Sequence, residues 1–276
     1  MEYVGRVPAP PLDRYIDDIY CLTGTPRHRR MNVPPMPSAH LFVNLGEPVR
    51  LLDPHPAVLT DGWFMGVWTR RFLLEYPASV RIVGVHFKPW GLAPFTGVPA
   101  GGLRDLWVPV DAVWPGAAGR VRERVGGLAP AGEALRVMEE ELLSRLAEVP
   151  ARGLGLVEHA GGRLEASHGG LAVSALADAA GVSGNHLTAQ FRSHVGITPK
   201  RMARIYRFAR LIVSVDALRP AGWAHLAQAA GYFDQAHFSK EFKDFTGHTP
   251  KEWLALRRRF PAERDFPPDS GPMPAE

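Results

Sequence analysis

At 276 residues, with 46% of them hydrophobic, the chain can bury a sizeable core and divide into two domains of ordinary size. It has no apolar run long enough to span a membrane and no signal-peptide order at its start, MEYVGRVPAPPLDRYIDD, so a cytoplasmic protein without a membrane partner is expected. The net charge of +4 is uneven: residues 1–162 hold 17 Lys/Arg against 17 Asp/Glu, residues 163–260 hold 14 against 7, and residues 261–276 hold 1 against 4. A basic C-terminal third suits a phosphate-backbone partner, although a solvated basic face gives the same surplus. Cys21 is the sole cysteine, which excludes an intrachain disulfide and the thiolate pairs of most structural zinc sites; it reads as a small buried hydrophobe.

In chain order, the first part is rich in Pro and Gly and holds short apolar runs at 39–45 (AHLFVNL), 64–68 (FMGVW), 72–76 (FLLEY) and 80–87 (VRIVGVHF). These are predicted strands. In the last of them Val83, Val85 and Phe87 alternate with Gly84 and His86, as a strand with at least one buried face requires. Beyond Pro115 the spacing turns helical, with Val121 and Val125, then Leu135, Met138, Leu142 and Leu146, until Pro150 ends the helix. The predicted architecture is an α+β N-terminal domain over 1–150, a short-strand, barrel-like sheet plus helices. A linker near 149–152 leads to an all-α domain of two tandem helix-turn-helix units over 151–260, and the Pro-rich acidic tail 261–276 is expected to be disordered.

The C-terminal domain contains an internal repeat. Residues 176–202 align with 226–253: Leu176, Ala177, Ala179, Ala180 and Gly181 match Leu226, Ala227, Ala229, Ala230 and Gly231. After one inserted residue, Leu187, Phe191, Gly196, Thr198 and Pro199 match Phe238, Phe242, Gly247, Thr249 and Pro250. Each half reads as helix, tight turn, helix. Small residues let two helices cross closely, and Gly181 or Gly231 ends the first in a left-handed conformation. Ser183 or Asp234 caps the second helix. On those second helices Leu187 and Phe191, or Phe238 and Phe242, face inward. The opposite face carries Asn185, Thr188, Ala189 and Arg192 in the first unit, and Ala236, Ser239, Lys240 and Lys243 in the second, short or cationic side chains suited to base edges and phosphates. Between the units Thr198 caps a basic helix from Pro199 to about Val215, carrying Lys200, Arg201, Arg204, Arg207 and Arg210. Thr249-Pro-Lys-Glu252 is a capping box opening a last helix.

With these residues in view, the sequence resembles the AraC/XylS family of bacterial transcription regulators over about residues 153–258, most specifically in GYFDQAHFSKEFKDFTGHTPKEW. The resemblance implies seven helices, with the connecting helix holding two recognition helices about one DNA turn apart. It implies DNA contacts at Asn185, Thr188 and Arg192 in the first unit and at Gln235, His237 and Lys240 in the second, and Lys243 is added as a phosphate contact. Ala189 departs from the long polar or basic residue that many relatives place there. The run VHFKPWGLAPFTGVPAGGLRDLWVPVD (85–111) resembles a poorly characterised β-rich domain often found before this module, which in related regulators senses small molecules or holds dimers together. The expected function is a sequence-specific transcription regulator, activator or repressor. Its expected partners are double-stranded operator DNA, RNA polymerase, a small-molecule effector and a second copy of the chain.

The competing reading joins a small-molecule enzyme or metal-binding barrel to a DNA-targeting domain. His40, His55 and His86 could in principle meet on neighbouring strands, but they have no tight ligand spacing and no acidic partner in a ligand-like pattern, so ordinary histidines are expected. The sequence offers no Ser/His/Asp set, Walker-type loop or supported carboxylate pair. No catalytic residue, metal or cofactor is therefore expected.

Overall fold

The computed structural model describes residues 1–97, 99–126, 130–214, 223, 227–228, 231–232, 234–259 and 273–275. The N-terminal strands are β1 (Glu2–Arg6), β2 (Ile16–Gly24), β3 (Arg30–Val33), β4 (Ala39–Asn44), β5 (Val49–Asp53), β6 (Ala57–Leu59), β7 (Gly62–Met65), β8 (Phe72–Glu75), β9 (Val80–Phe87) and β10 (Trp107–Pro109). Helices α1 (Ala93–Thr96), α2 (Val110–Val113), α3 (Ala117–Val125) and α4 (Ala131–Arg145) complete this part. The barrel-like arrangement expected takes the form of two antiparallel sheets, one in the order β1-β2-β9-β4-β7-β10, the other containing β3-β8-β5-β6.

The middle of the first sheet is buried on both faces, which explains the alternation in β9. Val83, Val85 and Phe87 join one apolar core, against the helices, while Val80 and Ile82 join another, shared with the second sheet. Gly84 lies on the second side, where a Cβ would come within 2.4 Å of the Tyr20 ring. Cys21 is buried on the helix side, and burial raises its thiol pKa. The 64–68 run is strand only to Met65; Gly66 then passes so close to Leu103 that a Cβ would lie 2.5 Å from its carbonyl oxygen. Strand β2 escapes the apolar-run reading because Asp17 and Asp18 interrupt it; the Asp18 carboxylate sits 2.6 Å from His86 Nδ1 on β9 and also accepts from the Tyr3 hydroxyl.

The C-terminal part comprises α5 (Leu154–Ala166), α6 (Val173–Ala179), α7 (Gly184–His194), α8 (Pro199–Ser214), α9 (Gln235–Thr246) and α10 (Pro250–Arg259). The aligned Leu226, Ala229 and Ala230 and the connecting helix's Val215 lie outside the described residues. In the tail, where disorder is expected, Met273–Pro274 instead form a strand, β11, antiparallel to β3, and the Ala275 N–H donates to Arg30 O at 3.0 Å. The physical reason is that β3 is otherwise an edge with unpaired backbone groups, which pairing satisfies regardless of side-chain pattern. The larger apolar core continues past residue 150 into α5, α7, α8 and α9 without a break. Trp90 packs so tightly on α5 that a Cβ at Gly161 would lie 2.5 Å from its ring.

Candidate nucleic-acid interface

Both helix-turn-helix units are built by the same local devices. In the first, Gly181 has φ +65, and its N–H donates to Asp178 O at 3.1 Å while the Val182 N–H donates to Ala177 O at 3.0 Å. In the second, Gly231 has φ +77, its N–H donates to Gln228 O at 2.9 Å, and the Tyr232 N–H donates to Ala227 O at 2.9 Å. The recognition helices then begin on matching caps: Ser183 Oγ accepts from the His186 N–H at 3.2 Å, and Asp234 Oδ1 from the His237 N–H at 2.7 Å. Thr198 Oγ1 caps α8 through the Arg201 N–H at 3.2 Å. At the start of α10, the Thr249 N–H donates to Glu252 at 2.7 Å and the Glu252 N–H donates to Thr249 Oγ1 at 3.3 Å, so the capping box is formed in both directions. Hydrogen bonds to the carboxyl from the Thr249 backbone N–H, and from its side chain, hold Glu252 below its ordinary range.

The core faces follow the spacing. Leu187, Phe191, Phe238 and Phe242 are fully buried. Phe242 contacts Phe208 of α8, Trp223 and Trp253 edge-on, with ring centroids 5.7–5.8 Å apart. On the other side of α7, Asn185, Ala189 and Arg192 are exposed and Thr188 is half-buried; on α9, Gln235, Ala236, His237, Lys240 and Lys243 are exposed. The fold thus gathers the predicted contacts into two solvent-facing patches, one on each repeat-equivalent helix. The His237 ring leans edge-on against Tyr232, centroids 5.8 Å apart.

Helix α8 does not carry all of its cations on the surface. Lys200 and Arg210 are exposed, but Arg201, Arg204 and Arg207 are half-buried and make internal contacts. Arg204 pairs with Glu241, which is 2% exposed and also accepts from the Tyr232 hydroxyl at 2.8 Å. Burial and this carboxylate push the Tyr232 hydroxyl far above its ordinary pKa. Arg207 lies over the Tyr232 ring. Arg201 lies over the Phe245 ring and donates to the Thr69 carbonyl of the N-terminal domain; its burial lowers its pKa. Glu241 was legible: positions 238, 241, 242 and 245 share one helical face, so an acid there must be buried and needs a cation.

The sequence gives no sign of how the N-terminal domain grips both units. Each recognition helix ends in a left-handed glycine, Gly196 at φ +86 and Gly247 at φ +77, and an arginine from the N-terminal domain meets each one. Arg104 donates to Gly196 O at 3.4 Å, and the Arg71 guanidinium lies where a Gly247 Cβ would be 2.7 Å from its Nε. Asn32 of β3 donates to Thr246 O at 2.7 Å, in a buried contact. Asp105, itself at φ 54, accepts from the Thr69 N–H at 2.7 Å and from its hydroxyl at 2.9 Å, fixing the segment that receives Arg201.

In the N-terminal domain His40 and His86 are cross-strand neighbours with ring centroids 4.8 Å apart, whereas His55 is exposed in the turn after β5. Among the described residues no group of three or more His, Cys, Asp or Glu is placed to hold a metal ion, and no helix is long and apolar enough to cross a membrane.

Two stretches of the chain match known domain families. Residues 176–256 match the family model "Helix-turn-helix domain", and residues 6–109 match "Domain of unknown function (DUF6597)". No curated protein matches significantly. Among solved structures, ToxT from Vibrio cholerae O395 overlaps at TM-score 0.46 and 11% identity, covering 86% of this chain and 95% of that one. Unsaturated fatty acid bound wild-type ToxT from Vibrio cholerae strain SCE256 gives 0.44 and 10%, covering 86% and 93%. The AraC-like transcriptional activator CuxR gives 0.30 and 11%, covering 75% and 86%. These overlaps are too loose to transfer a ligand or a mechanism. By its tandem helix-turn-helix domain and the domain that precedes it, the chain is similar to the AraC family of DNA-binding transcription regulators.

Proposed function

We propose that the chain reads a specific bipartite operator through α7 and α9, and that the N-terminal domain controls this reading by binding an effector or by self-association. The observation that carries the first part is the pairing of two repeat-equivalent helices, each with a buried apolar face and an exposed face of short polar or cationic side chains. Asn185, Thr188 and Arg192 are assigned to one half-site, and Gln235, His237, Lys240 and Lys243 to the other, with the lysines and Arg192 chiefly on phosphates. Helix α8 has 16 residues, about 24 Å at 1.5 Å per residue, too short to act as a long tether, so the spacing of the half-sites is fixed. Two helices entering the major groove on one face lie about 34 Å or 10 base pairs apart, and a single chain therefore needs no palindrome.

What supports a controlling role for the N-terminal domain is its contact with both units, through Arg104 at Gly196 and Arg71 at Gly247. Regulation of transcription places the protein in the cytoplasm, with RNA polymerase as the further partner of an activator. The test is selection of bound DNA from a random pool with the full chain, followed by hydroxyl-radical footprinting on the selected site. Two protected patches one turn apart on the same face are expected; a single patch, a symmetric pair on opposite faces, or no enrichment refutes the reading.

A further inference from the structure

A partly open cavity of about 90 Å³ lies between the two sheets of the N-terminal domain. Ser38 and His40 line part of it, with Ser38 Oγ 3.0 Å from His40 Nε2, and the aromatic side chains of Phe42, Trp68, Phe72 and Trp107 supply much of the rest. The aromatic rings form a box: Trp68 to Phe72 is 4.9 Å between centroids, Trp68 to Trp107 is 6.0 Å, and Phe72 stands edge-on to Trp107 at 5.3 Å. The indole N–H groups of Trp68 and Trp107 are buried with no hydrogen-bond partner among the described residues. Two orphan donors on the walls of one apolar cavity are costly, and an acceptor carried in by a ligand would satisfy them. No Asp, Glu, Lys or Arg lines the space, so a charged ligand would enter without a counter-ion.

We infer that this cavity binds a small, neutral, flat molecule, a single ring with one hydrogen-bond-accepting oxygen. The flatness follows from the aromatic walls and the acceptor from the indole donors, while the cavity's open side gives a single ring the room that about 90 Å³ alone would not enclose. The consequence for DNA rests on the function proposed above; the binding itself does not. The route to the DNA-binding domain is short. Trp68 and Phe72 flank Thr69 and Arg71, whose backbone carbonyl and guanidinium meet Arg201 and Gly247, and Asp105, which holds Thr69, stands two residues before Trp107. A ring seated against Trp68 and Trp107 bears on the segment that touches both the connecting helix and the end of the second recognition helix.

The experiment uses the full chain and two isosteric probes, acetophenone and α-methylstyrene, which differ by an oxygen in place of a methylene. Calorimetric titration is expected to show acetophenone binding about fivefold tighter, the effect of one net hydrogen bond, and the Trp68→Phe/Trp107→Phe variant is expected to bind both equally. Failure of both probes to bind, or equal binding by the unaltered chain, overturns the assignment. Acetophenone is further expected to change affinity for the selected operator by at least about threefold, that is by at least about 0.65 kcal/mol. Arg71→Met is expected to abolish that response while leaving acetophenone binding intact. Binding without any change in operator affinity overturns the coupling, whereas absence of operator binding in the probe-free chain counts against the DNA-reading function and leaves the calorimetric result to stand by itself.

Discussion

The two helix-turn-helix units share their turns, caps and core spacing but differ in how each is fastened to the rest of the molecule. Where the second unit has Glu241, buried between Arg204 and the Tyr232 hydroxyl, the first has Gln190, a half-buried neutral amide packed on Gly153. Where the second has His248, the first has the buried Ile197. The second core is aromatic, with Phe238, Phe242, Phe245, Trp223 and Trp253 around Phe208 of α8; the first relies on Leu187, Phe191, Val195 and Ile197. The exposed faces differ in the same sense, since Lys240 faces solvent where the first unit offers Ala189. One repeat thus supports an aromatic core with a buried ion pair and a largely aliphatic core with a neutral amide in its place, which means the motif constrains turn geometry and small residues more tightly than core chemistry.

The largest test of this contrast is truncation of the aromatic core. Phe242→Ala is expected to cost about 3–5 kcal/mol, from lost transfer energy plus a cavity that rigid ring neighbours cannot fill, measured by urea unfolding of the full chain. Next in size is the buried ion pair. Glu241→Ala leaves Arg204 and the Tyr232 hydroxyl unsatisfied and is expected to cost about 2–3 kcal/mol, below the usual cost of breaking a fully buried pair because Arg204 keeps some solvent. Gln190→Ala in the first unit should cost less than half of that, and equal losses would erase the distinction.

A smaller effect is expected at the DNA faces. Lys240→Ala should leave stability nearly unchanged, weaken operator binding several-fold and reduce the salt-dependence slope by about one. Ala189→Lys should do the reverse, making the first unit resemble the second, as read by titrations over a range of salt concentrations. The smallest effect concerns pH. Partial burial holds the His248 imidazole below its ordinary value of 6.5, with Arg71 adding to the shift and Glu252 opposing it. Because the folded pKa is depressed, the neutral ring's contribution is complete above 6.5 and is lost as pH falls from there through the folded value. His248→Gln should therefore lessen the drop in melting temperature between about pH 7.5 and about pH 5.5. An unchanged drop would show that His248 does not contribute.

Much of the C-terminal domain was legible because its determinants are local. Caps, left-handed glycines and the spacing of Leu187, Phe191, Phe238 and Phe242 all act within a turn or two of the residue concerned. The partners of the α8 arginines were not legible, for the opposite reason. The partner of Arg201 is a backbone carbonyl at Thr69, and that of Arg204 is a carboxylate on a different helix, so neither is visible within α8. Strand β9 was plain from its alternation, while β2 was hidden by Asp17 and Asp18, the second of which is held by a cross-strand histidine and the Tyr3 hydroxyl. The seven assigned DNA contacts are legible as surface, and a side chain's exposure does not by itself tell a base contact from a phosphate contact.

The uninterrupted interior around Trp90 and Gly161 also limits how this protein can be engineered or recombined. Grafting the C-terminal half onto an unrelated sensor, as if it were a cassette, would uncover the face of α5 that Trp90 fills and strip the clamps at Gly196 and Gly247. A working chimera would need to bring along the stretch from Trp68 to Arg104, or repack α5 with larger side chains. For the same reason heat should melt the two halves in one calorimetric peak, so a lesion far from the DNA face would lower operator occupancy simply by depleting the folded chain.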